Sequence, residues 1–97
     1  MHKVLQLLGL AFRAKKVISG EDFCVEAIRN GEAKYLFLAS DAGVNTTKRI
    51  TDKANYYKVT LDTTFTSNEL STAIGKNNRM VVAITDSGFA KKIKEIR

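Results

Sequence analysis

A chain of 97 residues has room for one hydrophobic core and none for a second domain. Its 44% hydrophobic content can fill that core, which excludes intrinsic disorder, and no apolar run approaches the roughly 18 residues of a membrane span. The 16 Lys and Arg outnumber 10 Asp and Glu, and the resulting net charge of +6 draws polyanions and speeds their encounter.

In chain order, Val4, Leu5, Leu7, Leu8, Ala11 and Phe12 recur at helical spacing and predict a first helix over 4–12. Val17-Ile18 reads as a short strand. Ser19 is placed to cap a second helix, with Asp22 three residues on in a variant of the capping box. That helix carries Cys24, Ala27 and Ile28 inward and stops at Asn30-Gly31. Tyr35–Ala39 is a continuous apolar run, as a strand covered on both faces requires. The polar loop from Ser40 to Thr46 leads into a third helix. Val44, Thr47, Ile50 and Ala54 are expected towards the core, with Lys48, Arg49, Asp52 and Lys53 outward. Lys58–Leu61 reads as a strand. Thr66 and Glu69 form a capping box before Leu70, Ala73 and Ile74, and Gly75 ends that fourth helix. Met80–Ile84 is a second buried strand. Thr85-Asp-Ser-Gly88 turns into a last helix with Phe89, Ile93 and Ile96 inside and Lys91, Lys92 and Lys94 outside. Helices and strands alternating on short connections predict an α/β fold, a single-domain three-layer α/β/α sandwich over residues 1–97 with a central, mixed four-stranded sheet.

The inventory of reactive groups argues against an enzyme. His2 is the one histidine and sits at the chain start, and the spacing of Cys24 with Ala27 and Ile28 makes it a small core residue. The carboxylates are dispersed apart from Glu21-Asp22, and the chain has no CxxC, HExxH or Walker spacing, so no catalytic residue, cofactor or metal is expected. The amphipathic start does not read as a secretory signal, and one cysteine cannot close an internal disulfide. A cytoplasmic protein, monomeric and without a membrane, is expected.

The basic residues are more informative. Arg13, Lys15 and Lys16 lie just ahead of the turn at Gly20, where a helix N-terminus presents unpaired N–H groups to an anion. The same cations also serve as the ordinary complement to a helix C-terminus. Lys48 and Arg49 open the third helix, where cations oppose the dipole and an anionic partner would relieve the cost, although simple surface charge explains them equally well. Thr85, Asp86, Ser87 and Gly88 leave the C-terminal end of a buried strand, where ligands collect in α/β proteins, although capping by Asp86 or Ser87 would also explain them. Lys91–Arg97 serves solubility and Asn77-Asn78 marks a turn. Tyr56 and Tyr57 fit packing beside a strand better than stacking on bases.

Four segments together resemble a known family: Leu7–Gly20, Ala33–Asp41, Glu69–Lys76 and Val81–Gly88. They are similar to the kink-turn-binding large-subunit ribosomal proteins of archaea and eukaryotes, over nearly the whole chain. Val17–Asp22, Asn45–Lys48 and Asn55–Lys58 are most similar to the small bacterial YlxQ-type members. The resemblance implies the same three-layer sandwich and binding of a structured RNA, ribosomal or another kink-turn RNA, with ribosomal proteins as further partners. It implies two contacts, Gly20, Glu21, Asp22 and Phe23 on sheared G·A pairs, and Thr85–Gly88 against an extruded base. The family carries Asn or Lys two residues after the glycine, Glu or Gln at the third and Lys at the sixth. This chain has Asp22, Phe23 and Glu26. A carboxylate accepts from guanine donors, a phenyl ring only stacks, and Glu26 repels phosphates. These departures leave open an alternative on the same scaffold, a protein-interaction module docking to a ribosomal protein or translation factor.

Overall fold

The computed structural model describes residues 2–97, which alternate helix and strand throughout. The order is α1 Lys3–Arg13, β1 Val17–Ser19, α2 Glu21–Arg29, β2 Tyr35–Leu38, α3 Val44–Tyr57, β3 Leu61–Asp62, α4 Ser67–Ala73, β4 Val81–Ile84 and α5 Ser87–Ile96. The strands form one sheet in the order β1-β4-β2-β3. β4 pairs antiparallel with both β1 and β2, and β2 pairs parallel with β3. The last strand in sequence therefore sits in the middle of the sheet.

Two cores follow from the strand period of two. Tyr35, Phe37, Val82 and Ile84 point to one face, under Val4, Leu5, Leu8 and Ala11 of α1, Leu70 of α4 and Ile93 of α5. Leu36, Leu38, Val81 and Ala83 point to the other, under Cys24, Val25 and Ile28 of α2 and Ile50 and Ala54 of α3. Every residue of β2 and β4 is buried, which is why both read as unbroken apolar runs. This is the expected three-layer sandwich with a mixed four-stranded sheet. No helix among the described residues is long and apolar enough to cross a membrane.

Local chemistry sets the ends of the elements. The Thr66–Glu69 capping box starts α4 as expected, and the Asp86 carboxylate accepts from the Phe89 N–H to start α5. On β3 the buried Asp62 carboxylate accepts from the Tyr35 hydroxyl at 2.7 Å and from Arg97 at 3.0 Å, tying the end of the chain to the sheet.

Four expectations need correction. Ser19 is not a cap: it is the last residue of β1, in register with Val82, and Gly20 is the N-cap of α2. Val44 and Thr47 are exposed, because the first turn of α3 lies against the start of α2 and only Ile50 and Ala54 reach the sheet. The third strand begins at Leu61 rather than Lys58. Helix α3 runs on to Tyr57, and Lys58, at a left-handed φ of 57°, closes it while the Val59 N–H bonds back to Ala54. Ile96, in the last turn of α5, is 42% exposed.

Candidate nucleic-acid interface

At the end of β1 the chain reverses at Gly20, whose φ of 103° is costly for any residue with a Cβ. Its N–H donates to the Val81 carbonyl at 3.0 Å, fixing the start of α2 against the start of β4. A glycine cap has no side chain to offer. The N–H groups of Glu21, Asp22 and Phe23 find no acceptor among the described residues. Helix α3 begins in the same way, on Gly43 with no side-chain cap. By contrast, α1, α4 and α5 are each capped by a side chain, from His2, Thr66 and Asp86. The two uncapped N-termini are neighbours, since the Thr46 hydroxyl donates to the Glu21 carboxylate at 2.6 Å. Open N–H groups and two helix dipoles at one place form a ready acceptor of negative charge.

The side chains around these ends are partly paired already. Arg49 bonds Glu21 at 2.8 Å and Asp22 at 2.7 Å. The Thr46 hydroxyl and then the Arg49 guanidinium hold the Glu21 carboxyl below its ordinary range. The cation expected to await an anion at the start of α3 is therefore engaged within the protein, while Lys48 beside it is exposed and in no ion pair among the described residues. Phe23 is 71% and Val44 84% exposed at this end of the molecule. Tyr56 and Tyr57, expected to pack, instead stand on the last turn of α3, 79% and 41% exposed, edge-to-face at 4.8 Å.

The structure does not bring the two expected contact segments together. The Thr85 N–H donates to the Lys16 carbonyl at 2.8 Å, whereas Gly20 meets Val81 at the other end of β4. Four strand residues separate the two ends, roughly 13 Å. Lys16 thus stands at the far end of β1 and does not feed the Gly20 turn, whereas Arg13 lines a hollow with Thr72 and Ala73 at the end of α4. Thr85, Asp86, Ser87 and Gly88 stand with Lys16. Here Asp86 is occupied as a cap, and a Cβ on Gly88 would come within 3.0 Å of its carboxylate, so this glycine makes room for the cap.

The segment that meets Gly20 is the α4–β4 connection, Gly75 to Met80, which leads into Val81. It carries Lys76, Asn77, Asn78 and Arg79, with Asn78 at a φ of 54° and the Arg79 Nε buried without a partner among the described residues. From sequence alone Asn77-Asn78 reads as a turn and nothing more. A run of amides and cations before a buried strand is the available signal, but strand order, which puts it beside Gly20, is not local information.

Residues 2–94 match the ribosomal protein L7Ae/L30e/S12e/Gadd45 family. The chain is 53% identical over 87 residues to the RNA-binding protein YlxQ of Bacillus subtilis, covering 90% of this chain and 87% of that protein. It is 47% identical over 95 residues to the RNA-binding protein YlxQ of Enterococcus faecium, covering 98% and 91%. Among solved structures, a protein of unknown function from Bacillus halodurans superposes with a TM-score of 0.94 at 38% identity, covering 99% of this chain and 97% of that one. A Giardia lamblia 15.5kD RNA binding protein shares the fold, with a TM-score of 0.84 at 17% identity over 95% and 79% of the two chains.

Proposed function

The chain belongs to the ribosomal protein L7Ae/L30e/S12e/Gadd45 family, and on that premise we propose that it is a non-enzymatic RNA-binding protein recognising a structured, kink-turn-like RNA, ribosomal RNA being the partner class. The observation that carries this reading is the pair of adjoining uncapped helix N-termini at α2 and α3, where every other helix is capped by a side chain. The names of the B. subtilis and E. faecium relatives support it. In this reading Gly20 lets RNA approach the backbone, and the free N–H groups of Glu21, Asp22 and Phe23 take phosphate or base-edge oxygens. Asp22 accepts from a guanine edge, the exposed Phe23 ring stacks on an unpaired base, and Lys48 neutralises a phosphate. The amides of the α4–β4 connection add donors from the side. Arg13, Lys15 and Lys16 act on phosphates, Lys16 at the other end of β1 and Arg13 from the groove between α1 and α4.

The test is a titration into labelled kink-turn RNA and a matched plain duplex, at low and near-physiological salt. Preference for the kink-turn at the higher salt supports the reading. Equal binding to both, disappearing together as salt rises, overturns it. One observation favours a second reading, a module that docks a protein partner: Phe23 and Val44 both stand exposed at the end where Arg49 already neutralises Glu21 and Asp22. Partners that survive nuclease treatment in a pull-down and disappear in Phe23→Ala would support it.

A further inference from the structure

The opposite end of the sheet carries a second concentration of charge. Two cavities there, of about 300 Å³ and about 260 Å³, share Lys34 and Lys94 as common walls. Arg29 and Lys58 line the first and Lys91 the second, and neither is lined by a carboxylate. The three ion pairs among the described residues all go to Arg49 or Arg97, so these five cations are unpaired. Two nearby carboxylates are engaged locally, Glu32 with Asn30 and Asp86 with the start of α5, while Glu95 follows Lys94 on α5. The backbone adds a sixth cation, because the Lys34 N–H meets the Ile84 carbonyl on one side of β4 and the Lys16 carbonyl meets Thr85 on the other. Lys16 and Lys34 therefore stand two strand spacings apart, roughly 10 Å.

Helix C-termini explain only part of this. Arg29 and Lys94 stand in last turns and complement the dipoles of their helices, and Lys34 Nζ bonds the Gly31 carbonyl past the end of α2. Three helices, α2, α3 and α5, end around the two adjoining hollows, yet their dipoles do not account for Lys91 of α5 or for Lys16 across β4. Lys58 points the same way, since it holds a left-handed conformation where glycine is the unstrained choice.

We propose that this end is a second RNA contact, a phosphate-binding face that holds the backbone of a duplex while the α2–α3 end reads its structure. The proposal rests on the reading of the chain as an RNA-binding protein. The two surfaces lie at opposite ends of the strands, so one molecule bridges two RNA segments or two arms of a bent one.

The test uses plain RNA duplex and kink-turn RNA with three variants of the full chain. Lys34→Gln with Lys94→Gln is expected to weaken duplex binding about tenfold and to lower the slope of log affinity against log salt by about 2, one for each phosphate no longer neutralised. Lys3→Gln with Lys53→Gln makes the same change in net charge elsewhere and is expected to bind close to the unmodified chain. Lys58→Gly relieves the left-handed backbone, so it is expected to melt no lower and yet to bind duplex more weakly, which separates a missing phosphate ligand from a folding defect. Equal weakening in the two double variants, or none in either, overturns the proposal. Absence of kink-turn preference in the unmodified chain overturns the reading of the α2–α3 end alone, because the duplex comparison stands without it.

Discussion

Gly20 is a residue whose identity the backbone dictates. At a φ of 103° any side chain crowds the neighbouring backbone, although the added methyl itself would meet nothing closer than ordinary contact with the Phe23 ring at 3.6 Å. Gly20→Ala is expected to cost about 1–2 kcal/mol, read as a lower denaturation midpoint at unchanged slope, and to weaken kink-turn binding beyond that loss. Arg49 acts through charge instead. Arg49→Gln uncovers Glu21 and Asp22 at the mouth of the two helix ends, so RNA binding should weaken. Asp22→Asn keeps an oxygen that accepts from a guanine edge and removes the charge, so it should strengthen binding, while the melting temperature scarcely moves because the pairs are exposed. An unchanged affinity in both variants would remove this end from the interface. Cys24, Ala27 and Ile28 are legible as core from spacing alone. The partners of Arg49 are not, because they come from a helix that no local pattern aligns with α3.

Helix starts divide the elements into two kinds. Side-chain caps serve α1, α4 and α5, and the Thr66–Glu69 box is legible because its signal lies within four consecutive residues. Ser19 misleads for the opposite reason: the register with Val82 holds it in β1, and register is a property of the sheet. The open caps at Gly20 and Gly43 leave stability unused. Gly43 has a φ of −64°, ψ of 163° and open space around a Cβ, the conformation a capping side chain needs. Gly43→Asp is therefore expected to stabilise the chain by about 0.5–1 kcal/mol, from a new cap and a stiffer unfolded chain. The same carboxylate would occupy the N–H groups assigned to RNA, so affinity should fall as stability rises. A stabilised variant with undiminished binding would show that α3 does not touch RNA. Strand order sets the other limit on what the sequence reveals. Thr85–Gly88 and Gly20–Phe23 both lie beside buried strands, and nothing local reveals that β4 enters the sheet with these segments at opposite ends.

Across the whole molecule, each of the two cores keeps a proton that an ordinary side chain would release in alkali. Burial pushes the Cys24 thiol up to about 12, and the thiol donates to the Ile18 carbonyl in the core beneath α2 and α3. On the other face of the sheet, burial and then the neighbouring Asp62 carboxylate raise the Tyr35 hydroxyl well above its ordinary 10.0. In both cases the folded chain holds the proton more tightly than the unfolded chain. The stability contributed is therefore whole below the ordinary value and is lost as pH rises towards the folded one. The loss begins with Cys24 above its ordinary 9.0, and Tyr35 joins above 10.0. Thermal unfolding followed from about pH 7 to about pH 11 should show a falling midpoint above about pH 9. Cys24→Ala should be less stable at neutral pH, from the space it leaves, but should fall less steeply in the first part of that limb. Adding Tyr35→Phe should flatten the remainder while leaving Asp62 paired with Arg97. Native Cys24 should also resist thiol alkylation until the same pH range, because reagent and hydroxide must reach the same buried sulfur. An alkaline limb identical in the unmodified chain and both variants would place the titrating groups outside the two cores, and the sheet would then lose its role as a barrier to deprotonation on either face.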